Sequence, residues 1–131
     1  PTASPIERVQ VTWAAWLAGL AAKRKLLVSY IEALAQAERA PELRRQLAEL
    51  YRTCRLRVAD LVAESLGDGT RGDDPRCRAV ATFVVAVCDG LAVQWLVDPD
   101  GVPSPDELLA GLTTLWSASF PPDGNDSPRR T

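Results

Sequence analysis

The chain has 131 residues, of which 47% are hydrophobic and 24% are charged, and its net charge is −2. That length suits a single domain with a real core, and the charge argues against a nucleic-acid-binding surface. The sequence contains no His and no cysteine pair with CxxC spacing, which excludes histidine-based catalysis and the commonest zinc sites. We therefore expect no enzyme, no metal site and no cofactor.

The cysteines indicate the compartment. Their number is odd, and Cys54, Cys77 and Cys88 have no spacing typical of a disulfide framework, which suits a reducing environment. Residues 1–20 also lack the basic start and the cleavage site of a signal peptide. We therefore expect a cytoplasmic protein. Cys54 and Cys88 fall within apolar stripes, so we interpret both as small core residues.

Four prolines mark predicted helix starts, because the first residue of a helix needs no N–H donor. Two of them follow a Ser that has a Glu three residues later, the spacing of a capping box, and a third follows an Asp. Gly67 and Asp98 mark predicted helix ends, and a further break is expected near residues 22–25. Apolar residues recur with helical spacing between these points, which predicts an all-α bundle of about five helices. The four starts are Ser4-Pro5, Ala40-Pro41, Asp74-Pro75 and Ser104-Pro105.

The fourth predicted helix contains the segment AVATFVVAVCDGLAVQWLV, residues 79–97, which is apolar on every side. A membrane span would place the Asp89 carboxylate near the bilayer centre, at a cost of roughly 2.5–3.5 kcal/mol. We therefore predict no membrane span and expect protein to cover both faces of the helix. The simplest cover for the second face is the same helix of another subunit. A monomeric bundle with a buried fourth helix is the alternative.

The expected dimer interface combines this second face with the amphipathic last helix, so that two chains form a four-helix bundle. Gly90 lets another backbone approach closely, and Gln94 can form hydrogen bonds with a partner. The residues assigned to the interface are Val80, Phe83, Val87, Gly90, Leu91, Gln94, Leu108, Leu112, Leu115 and Trp116.

Residues 89–99 carry a family resemblance. Asp89-Gly90-Leu91, then Trp95-Leu96 and Asp98-Pro99, followed by a short loop and an amphipathic helix, resemble the C-terminal half of TetR/AcrR-family transcriptional regulators. The upstream segment PELRRQLAELYRTCRLRVADLVAESL fits the same pattern. The resemblance implies a TetR C-terminal-domain-like fold, with residues 1–120 as effector-binding and dimerisation domain and residues 121–131 as a disordered tail. The N-terminal DNA-binding head of the family has no counterpart in the chain.

The resemblance also implies a function. The chain would be the ligand-binding and dimerisation domain of a repressor, active as a homodimer that binds a small, mostly apolar effector. Effector binding would weaken DNA binding by the missing head, because it changes the spacing of two recognition helices over major grooves about 34 Å apart. The alternative is a free-standing helical dimerisation or adaptor module without a ligand, for which a solidly packed interior is expected.

The candidate ligand-binding residues are mostly aromatic or apolar, a composition that suits a ligand cavity and an ordinary core equally. Asp89 is the sharper candidate, because a carboxylate on an apolar helix face needs a partner. In the family this position commonly faces the cavity, where it would receive a cationic or hydroxyl group. Its alternative role is a structural bond to Arg, Tyr or Trp on a neighbouring helix. The full set is Trp13, Trp16, Tyr30, Leu34, Tyr51, Cys54, Val85, Cys88, Asp89 and Ala92.

Overall fold

The computed structural model describes residues 5–67 and 69–119, with backbone only for residues 5–10, Trp116 and Ser119. The described part is all-helical and contains no strand, which confirms the predicted fold class. The predicted cap at Ser4 and the predicted disordered tail lie outside the described residues. The helices are α1 (Pro5–Ala22), α2 (Arg24–Gln36), α3 (Pro41–Leu66), α4 (Pro75–Val97) and α5 (Pro105–Ser119).

Local signals set the helix boundaries as predicted, since a proline begins every helix except α2. At the start of α5, the Ser104 N–H donates to Glu107 Oε2 at 2.8 Å and the Glu107 N–H donates to Ser104 Oγ at 3.3 Å, a complete capping box. At the start of α4, Asp74 Oδ1 accepts from the Arg76 N–H at 2.7 Å. Gly67 ends α3 in the left-handed conformation, at φ 67°.

The chain divides into two compact units. The larger, residues 16–102, contains the second half of α1 together with α2, α3 and α4. Of the described residues, the smaller contains 5–15 and 103–119, and thus the start of α1 and all of α5. Trp13 is the buried aromatic side chain in the described part of the smaller unit.

Small side chains form the core of the larger unit. Ala59 and Ala63 of α3 pack against Cys77 and Ala81 of α4, and one-turn spacing on each helix lets the two backbones approach closely. Tyr51, which precedes these alanines on α3, donates to Asp89, which follows Cys77 and Ala81 on α4, so the two helices run antiparallel.

Arg24 joins the start of α2 to the end of α4. Its Nη2 donates to the Leu96 carbonyl oxygen at 3.2 Å, and its guanidinium lies 5.5 Å from the centre of the Trp95 ring. A cation over an indole face is attractive, and Leu96 offers one of the carbonyls that a helix end leaves without an intrahelical partner. The start of α2 is therefore held at the C-terminal end of α4.

The interpretation of Cys54 as a core residue is wrong, because its side chain is exposed, whereas Cys77 is buried. Cys54 belongs to a stripe along α3 that is half-buried at Leu43 and Leu47 but exposed at Leu50 and Leu61. The stripe is thus covered over only part of its length. Cys88 is half-buried.

α4 is not buried all round within the chain. One face carries buried Cys77, Ala81 and Ala92, while Phe83 and Val97 are 55% and 83% exposed on another. By length and composition alone the helix could cross a membrane, which is weak evidence because core helices of soluble proteins pass the same test. The apolar surface of α4 therefore needs a cover that the described part of this chain does not supply.

Candidate functional site

An open, mostly apolar groove of about 230 Å³ lies in the larger unit. Its walls come from the end of α1, the junction of α1 and α2, and the middle of α4. We call it the α2–α4 groove. Its lining residues are Trp16, Leu20, Lys23, Leu26, Leu27, Tyr30, Cys88, Asp89 and Ala92.

A tyrosine of α3 holds the Asp89 carboxylate of this groove in place. The Tyr51 hydroxyl donates to Asp89 Oδ2 at 2.6 Å, and the Tyr30 and Tyr51 rings lie 6.4 Å apart, centre to centre. A short O–H···O⁻ bond is among the stronger hydrogen bonds in proteins. Both roles considered for Asp89 are thus compatible, since one oxygen binds a neighbouring tyrosine and the residue also lines the groove.

Both tyrosine hydroxyls stay protonated over a wide pH range. Burial is the largest cause that raises the pKa of Tyr51, and its hydrogen bond to Asp89 raises that pKa further. Burial also raises the pKa of Tyr30, although a hydrogen bond with Tyr51 opposes the shift. The negative charge of Asp89 adds to the rise at both phenols. The cluster therefore offers neutral hydroxyls beside one carboxylate.

The structure brings together half of the predicted ligand-binding residues. Trp16, Tyr30, Cys88, Asp89 and Ala92 line the groove, and Tyr51 contacts it through Asp89. The remaining four predicted residues are not part of the described groove lining. Leu34 and Val85 are half-buried elsewhere, Cys54 is exposed, and Trp13 belongs to the smaller unit.

Sequence reasoning missed four lining residues, Leu20, Lys23, Leu26 and Leu27, which flank the break between α1 and α2. The break itself was predicted, and the structure confirms it at Lys23. A change of helix direction brings side chains from both flanks to one side. A predicted helix break flanked by leucines is the pattern from which this side of the groove could have been predicted.

Most of the α4 residues assigned to a dimer interface lie on its uncovered face. Val80, Phe83 and Gln94 are exposed, and Val87 and Gly90 are half-buried. Leu91 does not share this exposure: with 7% of its surface accessible it packs inside the chain, because it lies on the flank of α4 that turns inward.

The predicted dimer interface left out two exposed valines of α4, Val93 and Val97. Both line a second open depression, of about 370 Å³, at the C-terminal end of this helix. On α5, Leu115 is exposed and Leu108 and Leu112 are half-buried. The Trp116 side chain lies outside the described residues. The depression is lined by Val93, Gln94, Val97, Asp98, Gly101 and Val102.

No group of three or more His, Cys, Asp or Glu side chains that could hold a metal ion occurs in the described part of the chain. The groove therefore offers apolar contacts, aromatic faces, one carboxylate and one lysine. This set binds and orients a small molecule by shape and charge.

A family model described as BetI-type transcriptional repressor, C-terminal, matches residues 5–118. The match covers most of the chain and confirms the resemblance drawn from residues 89–99. Regulators of this family are soluble, and the family is not an enzyme class. No curated protein and no solved structure shows significant similarity to the chain.

Proposed function

The chain belongs to the BetI-type C-terminal domains of TetR-family transcriptional repressors, and we propose that it binds a small effector and dimerises in the cytoplasm. The observation that carries the proposal is the Asp89 carboxylate, which lines an apolar groove and is oriented by Tyr51 from α3. A pocket with apolar walls and a few fixed polar groups is the usual form of a small-molecule site.

The residues that line the groove support one kind of effector. Leu20, Leu26 and Leu27 favour an apolar body, and Trp16 and Tyr30 add aromatic surface. Tyr51 occupies one oxygen of Asp89, so the other oxygen can accept a hydrogen bond from a hydroxyl or cationic group. The proposed effector is therefore a small, mostly apolar molecule with one donor group.

Effector binding can be coupled to DNA binding through α1. Trp16 and Leu20 of α1 line the same groove as Ala92 of α4, so one ligand contacts both helices. A ligand that prefers one arrangement of α1 shifts the equilibrium toward that arrangement. In the proposed repressor, α1 follows an N-terminal helix-turn-helix head, and the shift weakens DNA binding by a coupling of about 1–3 kcal/mol.

The proposed dimer covers the exposed face of α4. Phe83 and Val97 are the most exposed large apolar residues assigned to this face or adjoining it, and a second copy of the chain buries them. α5 contributes Leu108, Leu112, Leu115 and Trp116 in the same proposal.

Three small probes with the same ring test the groove. Phenethylamine, phenylethanol and phenylacetate differ only in a cationic, hydroxyl or anionic head. Isothermal titration of each probe into the wild-type chain should give tighter binding for the first two than for phenylacetate. Asp89→Asn should weaken phenethylamine binding by about tenfold, as expected for the loss of one charge-assisted contact.

Glu64→Gln is the matched control, because Glu64 is an exposed carboxylate on α3 outside the groove lining. It should leave all three affinities unchanged. Absence of binding by every probe, or equal binding by Asp89→Asn and the wild type, would argue for the helical adaptor without a ligand.

A further inference from the structure

The α2–α4 groove contains two charged side chains of opposite sign. They are the Lys23 ammonium and the Asp89 carboxylate, and the rest of the described lining is apolar or aromatic apart from the Cys88 thiol. In such a site the apolar walls enclose a ligand, and the few charged groups fix its orientation. The positions of the two charges relative to each other therefore decide which ligand the groove can orient.

The α2 side of the groove places the two charges at opposite ends. Lys23, Leu27 and Tyr30 all line the groove and follow the i, i+4, i+7 spacing of one helix face. At a rise of about 1.5 Å per residue, the first and the last lie about 10 Å apart. The Tyr30 and Tyr51 rings lie 6.4 Å apart, and the Tyr51 hydroxyl donates to Asp89, so Tyr30 marks the Asp89 end.

The α4 side gives a similar separation. Arg24, the neighbour of Lys23 in the chain, donates to the Leu96 carbonyl oxygen at 3.2 Å. Leu96 follows Asp89 on α4 by seven positions, which again corresponds to about 10 Å along the helix. Both sides of the groove therefore place its two charged ends about two helical turns apart.

The two charges do not neutralise each other. Within the described part of the chain neither Lys23 nor Asp89 takes part in a salt bridge. Lys23 begins the cationic run Lys23-Arg24-Lys25, and the first turn of α2 contains no acidic residue. One end of the groove is therefore positive and the other negative, with apolar surface between them.

A ligand with one charged group would use only one of these ends. A cation at Asp89 leaves the contact at Lys23 unused, and an anion at Lys23 leaves Asp89 unused. An anionic group at the far end of a cationic ligand would reach Lys23 without coming close to Asp89, so every charged contact would join opposite charges. The atoms between the two groups would contact Leu27 and Trp16.

We propose that the α2–α4 groove binds an amphoteric effector, with a cationic group at Asp89, an anionic group at Lys23 and an apolar body that holds the two charges about 10 Å apart. This inference rests on the proposed effector binding. It adds to the effector a second charged group and assigns Lys23 as the residue that receives it.

Two amphoteric derivatives of phenethylamine test the second charge. In para-(aminoethyl)phenylacetate a carboxymethyl group lies across the ring from the aminoethyl group, whereas in phenylalanine the carboxylate lies beside the amine. Isothermal titration into the wild-type chain should show the para derivative binding about three- to fivefold more tightly than phenethylamine, as expected for one exposed ion pair. Phenylalanine should bind less tightly than phenethylamine, because its carboxylate would lie close to Asp89.

Lys23→Gln should remove the gain, so that the para derivative binds this variant no more tightly than phenethylamine does. Lys25→Gln is the matched control, because it removes an exposed cation of the same run that is not part of the described groove lining. It should retain the three- to fivefold gain, about that of the wild type.

The outcomes separate this inference from the proposed effector binding. If phenethylamine binds but the para derivative binds no more tightly, the amphoteric effector is overturned and the effector site stands. The same holds if Lys23→Gln keeps the gain, if Lys25→Gln loses it equally, or if phenylalanine binds as tightly as the para derivative. Absence of binding by every probe would overturn both proposals.

Discussion

The Tyr51 hydroxyl donates to Asp89 Oδ2 at 2.6 Å and joins the middle of α3 to the groove side of α4. The bond satisfies one oxygen of the carboxylate that the apolar surface of α4 would otherwise leave poorly solvated. It also fixes the direction in which Asp89 faces the groove. A structural contact and a candidate ligand contact are therefore carried by the same side chain.

Tyr51→Phe should destabilise the chain by about 1–2 kcal/mol, since it removes a hydrogen bond to a charged group while the ring still packs. Urea unfolding followed by helical circular dichroism measures the difference. Thr82→Val is the control, because it removes an exposed hydroxyl that bonds only its own helix, and it should change the stability by less than about 0.5 kcal/mol. Equal effects of the two substitutions would contradict the importance of the Tyr51 bond.

Tyrosine ionisation should be delayed in the folded chain. The pKa values of both Tyr30 and Tyr51 are raised above their usual value of about 10, and these are the only tyrosines in the sequence. Alkaline titration of tyrosinate absorbance should therefore show no ordinary phenol in the native chain but two in urea. A native tyrosine that ionises near pH 10 would contradict the burial of the cluster.

The same shifts predict a loss of stability at alkaline pH. Below about pH 10 both phenols are protonated in the folded and unfolded chain, so their contribution is fully present. Above it the unfolded chain releases protons that the folded chain retains, and stability falls with rising pH. Tyr51→Phe should make this fall shallower, as measured by urea unfolding at several pH values. An unchanged slope would show that Tyr51 does not titrate differently in the two states.

Two glycine substitutions should have opposite signs. Gly67 has φ 67°, so Gly67→Ala forces a side chain into the left-handed region and should cost about 1 kcal/mol. Gly19 lies inside α1, so Gly19→Ala should stabilise by about 0.5–1 kcal/mol. Neither added methyl meets a described atom within 4 Å, which leaves backbone conformation as the difference. Thermal unfolding of both variants checks the signs, and a stabilising Gly67→Ala would contradict the cap.

Arg24→Ala should destabilise the chain by about 0.5–1.5 kcal/mol, because it removes both the bond to the Leu96 carbonyl and the contact with Trp95. Lys25→Ala removes an adjacent exposed cation and serves as the control. Urea unfolding of the two variants gives the comparison. If both variants lose the same stability, the contacts of Arg24 with α4 stabilise the chain no more than an exposed positive charge does.

Helix boundaries could be predicted because their signals are local. Ser104 and Glu107 lie within one turn, and Gly67 marks the end of α3 by its own conformational freedom. The periodicity of α3 also predicted which residues share a face. It could not show how far along that face a neighbouring helix extends, and so Cys54 was assigned to the core although it is exposed.

The site was harder to predict because it depends on how helices meet. Asp89 and Trp16 were identified from their residue types, yet the partner of Asp89 could only be narrowed to three kinds of side chain. Tyr51 lies 38 positions away, and the register of α3 against α4 decides the contact. Lys23 and Leu26 join the groove through the angle between α1 and α2, which no local pattern specifies.

Mass in solution tests the central claim that a second copy covers α4. Light scattering on the wild-type chain should give twice the chain mass of 14.2 kDa. Gly90→Arg should reduce it to the monomer, because it places a long cation within the proposed dimer interface on α4, whereas Thr82→Arg on the same helix should leave it unchanged. A wild-type mass of one chain, independent of concentration, would contradict the account.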